Sequence, residues 1–449
     1  MREPVHVVGA GLAGPEAAMQ LASAGLACVL HEMRPAARTP AHQTDLIGEL
    51  VCSNSLKTET PGSAPWLLKE ELRRMGSACM QAAAKARIPG GTALTVDRGQ
   101  FANAVTDMVE AEPLINVQRG EVTGLPDDPM QVWIIATGPL TSDSLASSIA
   151  SQTGHDRLFF YDAISPIVDA ESVDMTVAYR ASRYGNSLDG SADYVNCPLS
   201  REGYERFVEA LLGASQHQSH DFDNPNYFEG CLPIEEIARR GPHTLRFGPM
   251  RPVGLRDPRT GQSAYAVVQL RQEDARSGSY NLVGFQNHLK YGEQRRVLRM
   301  IPGLERAEFL RYGQIHRNTY INAPALLRRT LQWRQRPNIF FAGQISGVEG
   351  YVESIATGLM AGRNAARLAL GLELLTWPDE TAHGSLCRYI CGASPHNYQP
   401  ANITFDLLPR PSPELLRRFR RRKRERRMHQ CQLGLAALER FLNAHPRAA

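Results

Sequence analysis

The chain has 449 residues, 43% of them hydrophobic, which is enough for two or three domains that each bury a core. Its formal net charge is +4, but residues 417–427, RRFRRRKRERR, carry +8, so the rest of the chain carries −4 and the positive charge is local. No apolar run approaches the ~18 residues of a membrane span. The eight cysteines (Cys28, Cys52, Cys79, Cys197, Cys231, Cys387, Cys391 and Cys431) lack disulfide-framework spacing, so reduced thiols in a cytoplasmic protein are expected.

In chain order, VHVVGAGLAGPEAAMQLASAGLACVLHE (5–32) reads as strand, glycine turn, helix ending near Gly25, and strand, a complete βαβ unit. The opening MREPVHVV is the first of these strands, not the apolar stretch of a secretory leader. Pro65 opens a helix predicted over 65–86, with Leu67, Leu68 and Leu72 at helical intervals. QVWIIATGP (131–139) is a buried strand ending in a tight turn. From about 158 to 325 shorter alternating segments such as TVAYRASRY and SAYAVVQLRQ, mixed with Pro and Gly, indicate a separate substrate domain with antiparallel strands. PNIFFAGQ, near 337, returns to a buried strand, and ESIATGLMAGRNAARLAL follows as a helix. The basic run near the end lies between PRPSPELLRR and CQLGLAALERFL, and is expected on the exposed face of a C-terminal helix.

Gly9, Gly11 and Gly14 form GxGxxG between the first strand and the first helix, so the backbone from Gly9 through Ala10, Leu12 and Ala13 can approach a pyrophosphate closely. Glu32 lies 18 residues past Gly14 at the end of the second strand, where a carboxylate can accept hydrogen bonds from a ribose. The fingerprint alone does not separate FAD from NAD. ATGP, with Gly138, resembles the second strand motif of flavoproteins, and IFFAGQ, with Gly343 and Gln344, resembles their C-terminal motif, although many flavoproteins carry Asp where Gln344 stands. Because no second GxGxxG exists, a nicotinamide would be a visiting reductant. His383, Cys387, Cys391 and His396 raise the question of zinc, but their spacings of four and five also mark one face of an ordinary helix, so no metal is assigned.

Several segments together resemble the folate- and FAD-dependent tRNA uracil-5-methyltransferase family, TrmFO: VVGAGLAGPEAA, HEMRP, ELVCSNSLK, APWLLKEELRRMGS, FEGCLPIEEIARRG, GFQNHLKYGEQRRVLRMIPGLE, HRNTYINAP, FFAGQISGVEGYVES and ITFDLLP, spanning residues 7–409. The resemblance implies an α/β fold. A Rossmann-like FAD-binding domain of the glutathione-reductase type would occupy 1–157 and 330–449, with an inserted α+β substrate and RNA-binding domain at 158–329. It implies that methylenetetrahydrofolate supplies one carbon, reduced FAD carries and reduces it with NAD(P)H as co-substrate, and C5 of a uridine in the tRNA T-loop (position 54) receives it. It also adds Gly350 and Tyr351 to the cofactor-binding residues, and assigns His288 and Tyr351 to stacking on the pterin. The metal-free chemistry needs a thiol, since C5 of uracil is a poor nucleophile until a thiolate adds at C6.

By family position, two cysteines fit: Cys231 is expected to add to the uracil and Cys52 to work beside the flavin. The local sequence supports Cys231, because Pro233 suits a first helical position and Gly241 a helix end, placing the sulfur near the positive end of a helix dipole. Glu235 and Glu236 in the first turn oppose a thiolate there. For RNA, Arg246, Arg251 and Arg256, with Arg259, form a basic strip shortly after Cys231, and Arg421 and Arg422 lie in the C-terminal run. Methylation of a ribosomal RNA uridine by the same machinery is an open alternative, as is a flavin-containing RNA binder without catalysis. The related family that aminomethylates wobble uridines predicts a longer chain with a helical C-terminal domain.

Overall fold

The computed structural model describes residues 3–39, 41–154, 158–216 and 232–446, so Cys231 lies outside the described residues. A five-stranded parallel sheet forms the first layer, in the order Ile339–Phe341, Trp133–Ile135, Val5–Val8, Cys28–Glu32, Ile115–Arg119. The strands VHVV, WII and IFF are short apolar runs, which suits strands buried on both faces. This Rossmann-type sheet bears out the expected α/β fold class, and its carboxyl ends open on one crevice, where ligands bind in doubly wound sheets.

Helix Ala13–Ser23 lies against helix Tyr351–Ala369 in close contact. A methyl group at Gly358 or Gly362 would sit 2.4 Å from the Ala13 carbonyl oxygen or 2.7 Å from that of Ala17, so only glycine permits this approach. Both helix N-termini thereby reach the same crevice. The apolar core of this layer draws on residues between Val5 and Ile149 and between Tyr320 and Phe441.

A second core, from Val168 to Ala307, packs beneath a six-stranded antiparallel sheet in the order Tyr179–Arg180, Tyr194–Leu199, Ala266–Gln272, Ser279–Leu282, Ile167–Asp169, Phe309–Arg311. The antiparallel pair Leu158–Ala163 and Ile315–Tyr320 connects the two layers. A three-stranded sheet, Ser55–Thr58, Ala93–Val96 and Arg87–Ile88, stands beside them.

Two helical expectations are corrected. The helix foreseen over 65–86 is two helices, Ala64–Arg74 and Ala78–Lys85, because Gly76 takes φ 75° and the Ser77 hydroxyl caps the second by accepting from the Met80 amide. The basic run is not one helical face: Pro413–Arg418 ends as a short helix, Arg421 turns the chain at φ 65°, and Lys423–Ala444 begins anew. His383 and Cys387, considered above for metal, point into the core from helix Ala382–Gly392, and His383 Nδ1 lies 2.6 Å from Glu71 Oε2. No helix among the described residues is long and apolar enough to cross a membrane.

Glu71, fully buried, also accepts from the Ala382 amide at 2.7 Å and the His383 amide at 3.0 Å, joining two helices that sequence separates by three hundred residues. Glu71→Ala leaves those donors without a partner and is expected to lower stability by about 3 kcal/mol, read from the midpoint of urea unfolding.

Candidate active site

The crevice at the carboxyl ends of the parallel strands holds about 1000 Å³ of empty space. Its walls are the turns that follow each strand: Gly9–Ala13, Glu32–Arg34, Gly120–Val122, Ala136–Ser142 and Gly343–Gln344, together with Tyr351 and Ser354. Of the residues expected to bind a cofactor, Gly9, Ala10, Gly11, Leu12, Ala13, Glu32, Gly138, Gly343, Gln344 and Tyr351 line it, while Gly14 and Gly350 are not among the lining residues. Gly14 is needed for a steric reason: a methyl group there would lie 1.8 Å from the Gly9 carbonyl oxygen and the turn could not close. Gly11 has no atom within 4 Å of the place its methyl would take, so its backbone faces open space. No side chain caps the start of helix Ala13–Ser23, which leaves its first amides available to an anion.

Glu32 Oε2 accepts from the Ala10 amide at 3.0 Å, and Oε1 accepts from the Arg34 amide at 3.0 Å and Arg34 Nε at 2.8 Å. Burial would push this carboxyl up, but the Arg34 hydrogen bonds and charge bring it below its ordinary value, so Glu32 is a carboxylate. Three of its roughly four lone-pair sites are occupied, which leaves one for a ribose hydroxyl. Gln344 donates to Glu349 Oε2 at 2.6 Å and so is oriented by a carboxylate from its own loop.

Cys52 is not itself among the residues lining the crevice; its neighbour Val51 and Tyr351 are, and Cys52 is half-buried. The Tyr351 hydroxyl accepts from the amides of Cys52, at 2.9 Å, and Ser53, at 3.0 Å. Arg98 Nη1 donates to the Leu50 carbonyl at 2.6 Å and Nη2 to the Cys52 carbonyl at 3.5 Å. Arg311 Nη1 donates to the Val51 carbonyl at 3.1 Å. Arg271 donates from Nη2 to Ser53 Oγ at 2.8 Å and from Nε to Asn54 Oδ1 at 2.9 Å, and Asn54 Nδ2 donates to the Gln272 carbonyl at 2.8 Å. The stretch 50–54 is thus tied to both layers. The sequence reading missed these three arginines, which come from positions far apart; the one visible signal was Arg271 and Gln272 closing a strand that opens Ala-Val-Val, both of them buried.

The remaining expected residues are more dispersed. The helix after Cys231 runs only Ile234–Arg239, with Pro233 as its N-cap residue instead of its first helical position, so the dipole argument for that thiol weakens to little. Glu235 is fully buried, accepts from the His288 amide at 2.6 Å, and has its carboxyl raised by burial to about 7. Burial thus disfavours its charged form, and it opposes an anion less than its position in the first turn implied. His288 is itself buried and is not among the residues lining the crevice, whereas Tyr351 is. Arg251 and Arg256 are exposed, and neither forms an ion pair among the described residues. Arg246 is held, its Nε donating to the Tyr265 carbonyl at 2.8 Å and its guanidinium 3.6 Å above the Tyr265 ring. Arg421 and Arg422 are exposed, with Arg422 paired to Glu425 at 3.0 Å.

Residues 4–373 match the family described as Glucose inhibited division protein A. The chain is 64% identical to "Methylenetetrahydrofolate--tRNA-(uracil-5-)-methyltransferase TrmFO" of Solibacter usitatus, over 99% of this chain and 100% of that protein. It is 59% identical to the protein of the same name from Koribacter versatilis, over 98% of each. Among solved structures, GidA of Aquifex aeolicus superposes with a TM-score of 0.68 at 17% identity, over 98% of this chain and 76% of that one, a likeness of fold. With identity this high along nearly its whole length, the chain belongs to the TrmFO family, within the wider family of glucose inhibited division protein A.

Proposed function

We propose that the protein transfers a one-carbon unit from methylenetetrahydrofolate to C5 of a uridine in the T-loop of tRNA (position 54), with FAD held in the crevice and NAD(P)H as visiting reductant. The names of its relatives support the tRNA, uracil and folate parts of this reading. The observation that carries the chemistry is the position of Cys52, a half-buried thiol whose two flanking supports, Val51 and Tyr351, both face the cofactor crevice.

The residues present fit FAD. Gly11 offers bare backbone toward the crevice, the uncapped start of helix Ala13–Ser23 offers amides to a pyrophosphate, and Glu32 keeps one acceptor site for the ribose. Gly138, Gly343 and Gln344, with Gly350 at the start of the long helix, would flank the remainder of the cofactor. When bound, the flavin would supply the two-electron reduction of the transferred carbon. The protein's part is to position and to move protons. Cys231 adds through its thiolate to C6 of uracil, the electron pair passes to the C4 oxygen, and C5 then bonds to the one-carbon unit as the bond between that carbon and its donor breaks. Loss of the C5 proton to a base at the Cys52 end of the site then restores the C5–C6 double bond as the Cys231 sulfur leaves. Tyr351 offers its ring to the pterin, with His288 as the partner contributed from the antiparallel layer. Residues 158–329 are the inserted RNA-binding domain in this reading. Arg251 and Arg256 meet phosphates there, Arg246 shapes the same face, and Arg421 and Arg422 reach the backbone from the C-terminal turn.

Three measurements test the reading. Purified protein incubated with methylenetetrahydrofolate, NADPH and unmodified tRNA is expected to yield 5-methyluridine at one T-loop position, and Cys231→Ala or Cys52→Ala to reduce that yield to background while tRNA still binds. Methylation only when ribosomal RNA is supplied would move the target; unchanged methylation in both variants would remove the thiols from the mechanism. Gly11→Ala, which meets no protein atom, is expected to fold with unchanged thermal stability when flavin-free and to retain less flavin, seen as weaker visible absorbance in the purified protein. Replacing Arg251 and Arg256 by Ala is expected to weaken tRNA binding and to flatten its salt dependence, lowering the log–log slope by about 1 per lost phosphate contact.

A further inference from the structure

Three guanidinium groups surround the Cys52 stretch, each from a different element: Arg98 from helix Arg98–Glu110, Arg271 from strand Ala266–Gln272 and Arg311 from strand Phe309–Arg311. Among the described residues one carboxylate, Glu273, answers them, and it is bound by Arg98, whose Nη2 lies 3.2 Å from Glu273 Oε1. A fourth group at this stretch, the Tyr351 hydroxyl that accepts from the Cys52 and Ser53 amides, is pushed well up by burial and stays neutral. Three fixed positive charges therefore share one fixed negative charge in a largely buried place.

That imbalance is felt by the arginines. Burial works against the charge on Arg98, but Glu273 more than offsets it. Arg271 and Arg311 are left below their ordinary value: burial lowers both and outweighs the attraction of Glu273, and repulsion from Arg98 adds to it. Arginine does not give up its proton in proteins, so these charges favour a further anion beside them. A charge on the Cys52 sulfur attracts all three guanidiniums. The hydrogen bonds to the carbonyls of Leu50, Val51 and Cys52 meanwhile fix these cations against that stretch of chain.

We propose that Arg98, Arg271 and Arg311 act as positioning residues that hold Cys52 as a thiolate at neutral pH, ready to accept a proton. This rests on the reading above that Cys52 is a working thiol, and it adds the source of that reactivity. The six other described cysteines are buried, with Cys28, Cys391 and Cys431 each pushed up to about 12 by burial, whereas Cys52 is only half-buried.

The test is alkylation of the full-length protein by iodoacetamide across the pH range, with the modified peptide containing residue 52 quantified by mass spectrometry. In the unaltered protein the rate for Cys52 is expected to reach its midpoint about 2 pH units below the ordinary thiol value of ~8.5. Arg271→Gln and Arg311→Gln are each expected to move that midpoint up by about 1 unit, roughly a tenfold loss of rate on the acid side. Arg311→Lys keeps the charge and is expected to follow the unaltered protein. Tyr351→Phe removes the hydroxyl that holds the loop and is expected to leave the midpoint in place, which separates charge from simple loosening. Circular dichroism establishes that each variant is folded. A midpoint near 8.5 in the unaltered protein overturns the inference, and so does a folded Arg311→Gln variant whose profile superposes on it. A low midpoint in a protein that methylates no RNA would sink the functional reading and leave this inference standing; a high midpoint in an active enzyme would do the opposite.

Discussion

The close approach of helix Ala13–Ser23 to helix Tyr351–Ala369 is the constraint on which the site depends. With carbonyl oxygens of the first helix against Gly358 and Gly362 of the second, the two helices begin at one crevice, at the carboxyl ends of the parallel strands. One helix start presents bare amides and the other presents Tyr351. Any side chain at either glycine would force the helices apart by a substantial fraction of their spacing, and the tyrosine that secures Cys52 would move with the second helix. A packing contact in the core thus sets the geometry of groups at the surface of the cleft.

Around that contact, charge is distributed unevenly in a way that follows function. Arg34 is shared between Glu32 and Glu49, so the Glu32 end of the crevice holds two carboxylates on one guanidinium and has no excess of positive charge. The Cys52 end has one, because Arg98, Arg271 and Arg311 outnumber Glu273. Natural cores seldom leave buried cations without counter-charge, and where they do the surroundings of a reacting group are a frequent reason.

The parallel layer was legible in the sequence because its signals are local. VHVVGAG, WII and IFF are each short apolar runs closed by glycine, and the GxGxxG turn fixes what must follow it. The break at Gly76 was missed because helical leucine spacing before it and alanines after it read as one period; the positive φ of a single glycine decided the matter. The C-terminal basic run was read as one face because charge alone carries no turn signal, and Arg421 adopts a positive φ that its composition does not announce. The arginines at Cys52 were illegible for a different reason: residues 98, 271 and 311 meet residue 52 only after two sheets have been brought together, and no spacing in the chain encodes that meeting. Their clearest trace, polar Arg271 and Gln272 in an interior strand, says that something polar lies opposite without saying what.

Two of the three cations around Cys52, with the Asn54 hydrogen bonds, come from the antiparallel layer, while the sulfur itself hangs from the parallel one. On the proposal made for Cys52, the nucleophilic character of that atom is therefore owned by neither half of the molecule. It would exist only while the halves are docked, so a chain that is partly assembled, or that has sprung open at this seam, would carry an ordinary and harmless thiol.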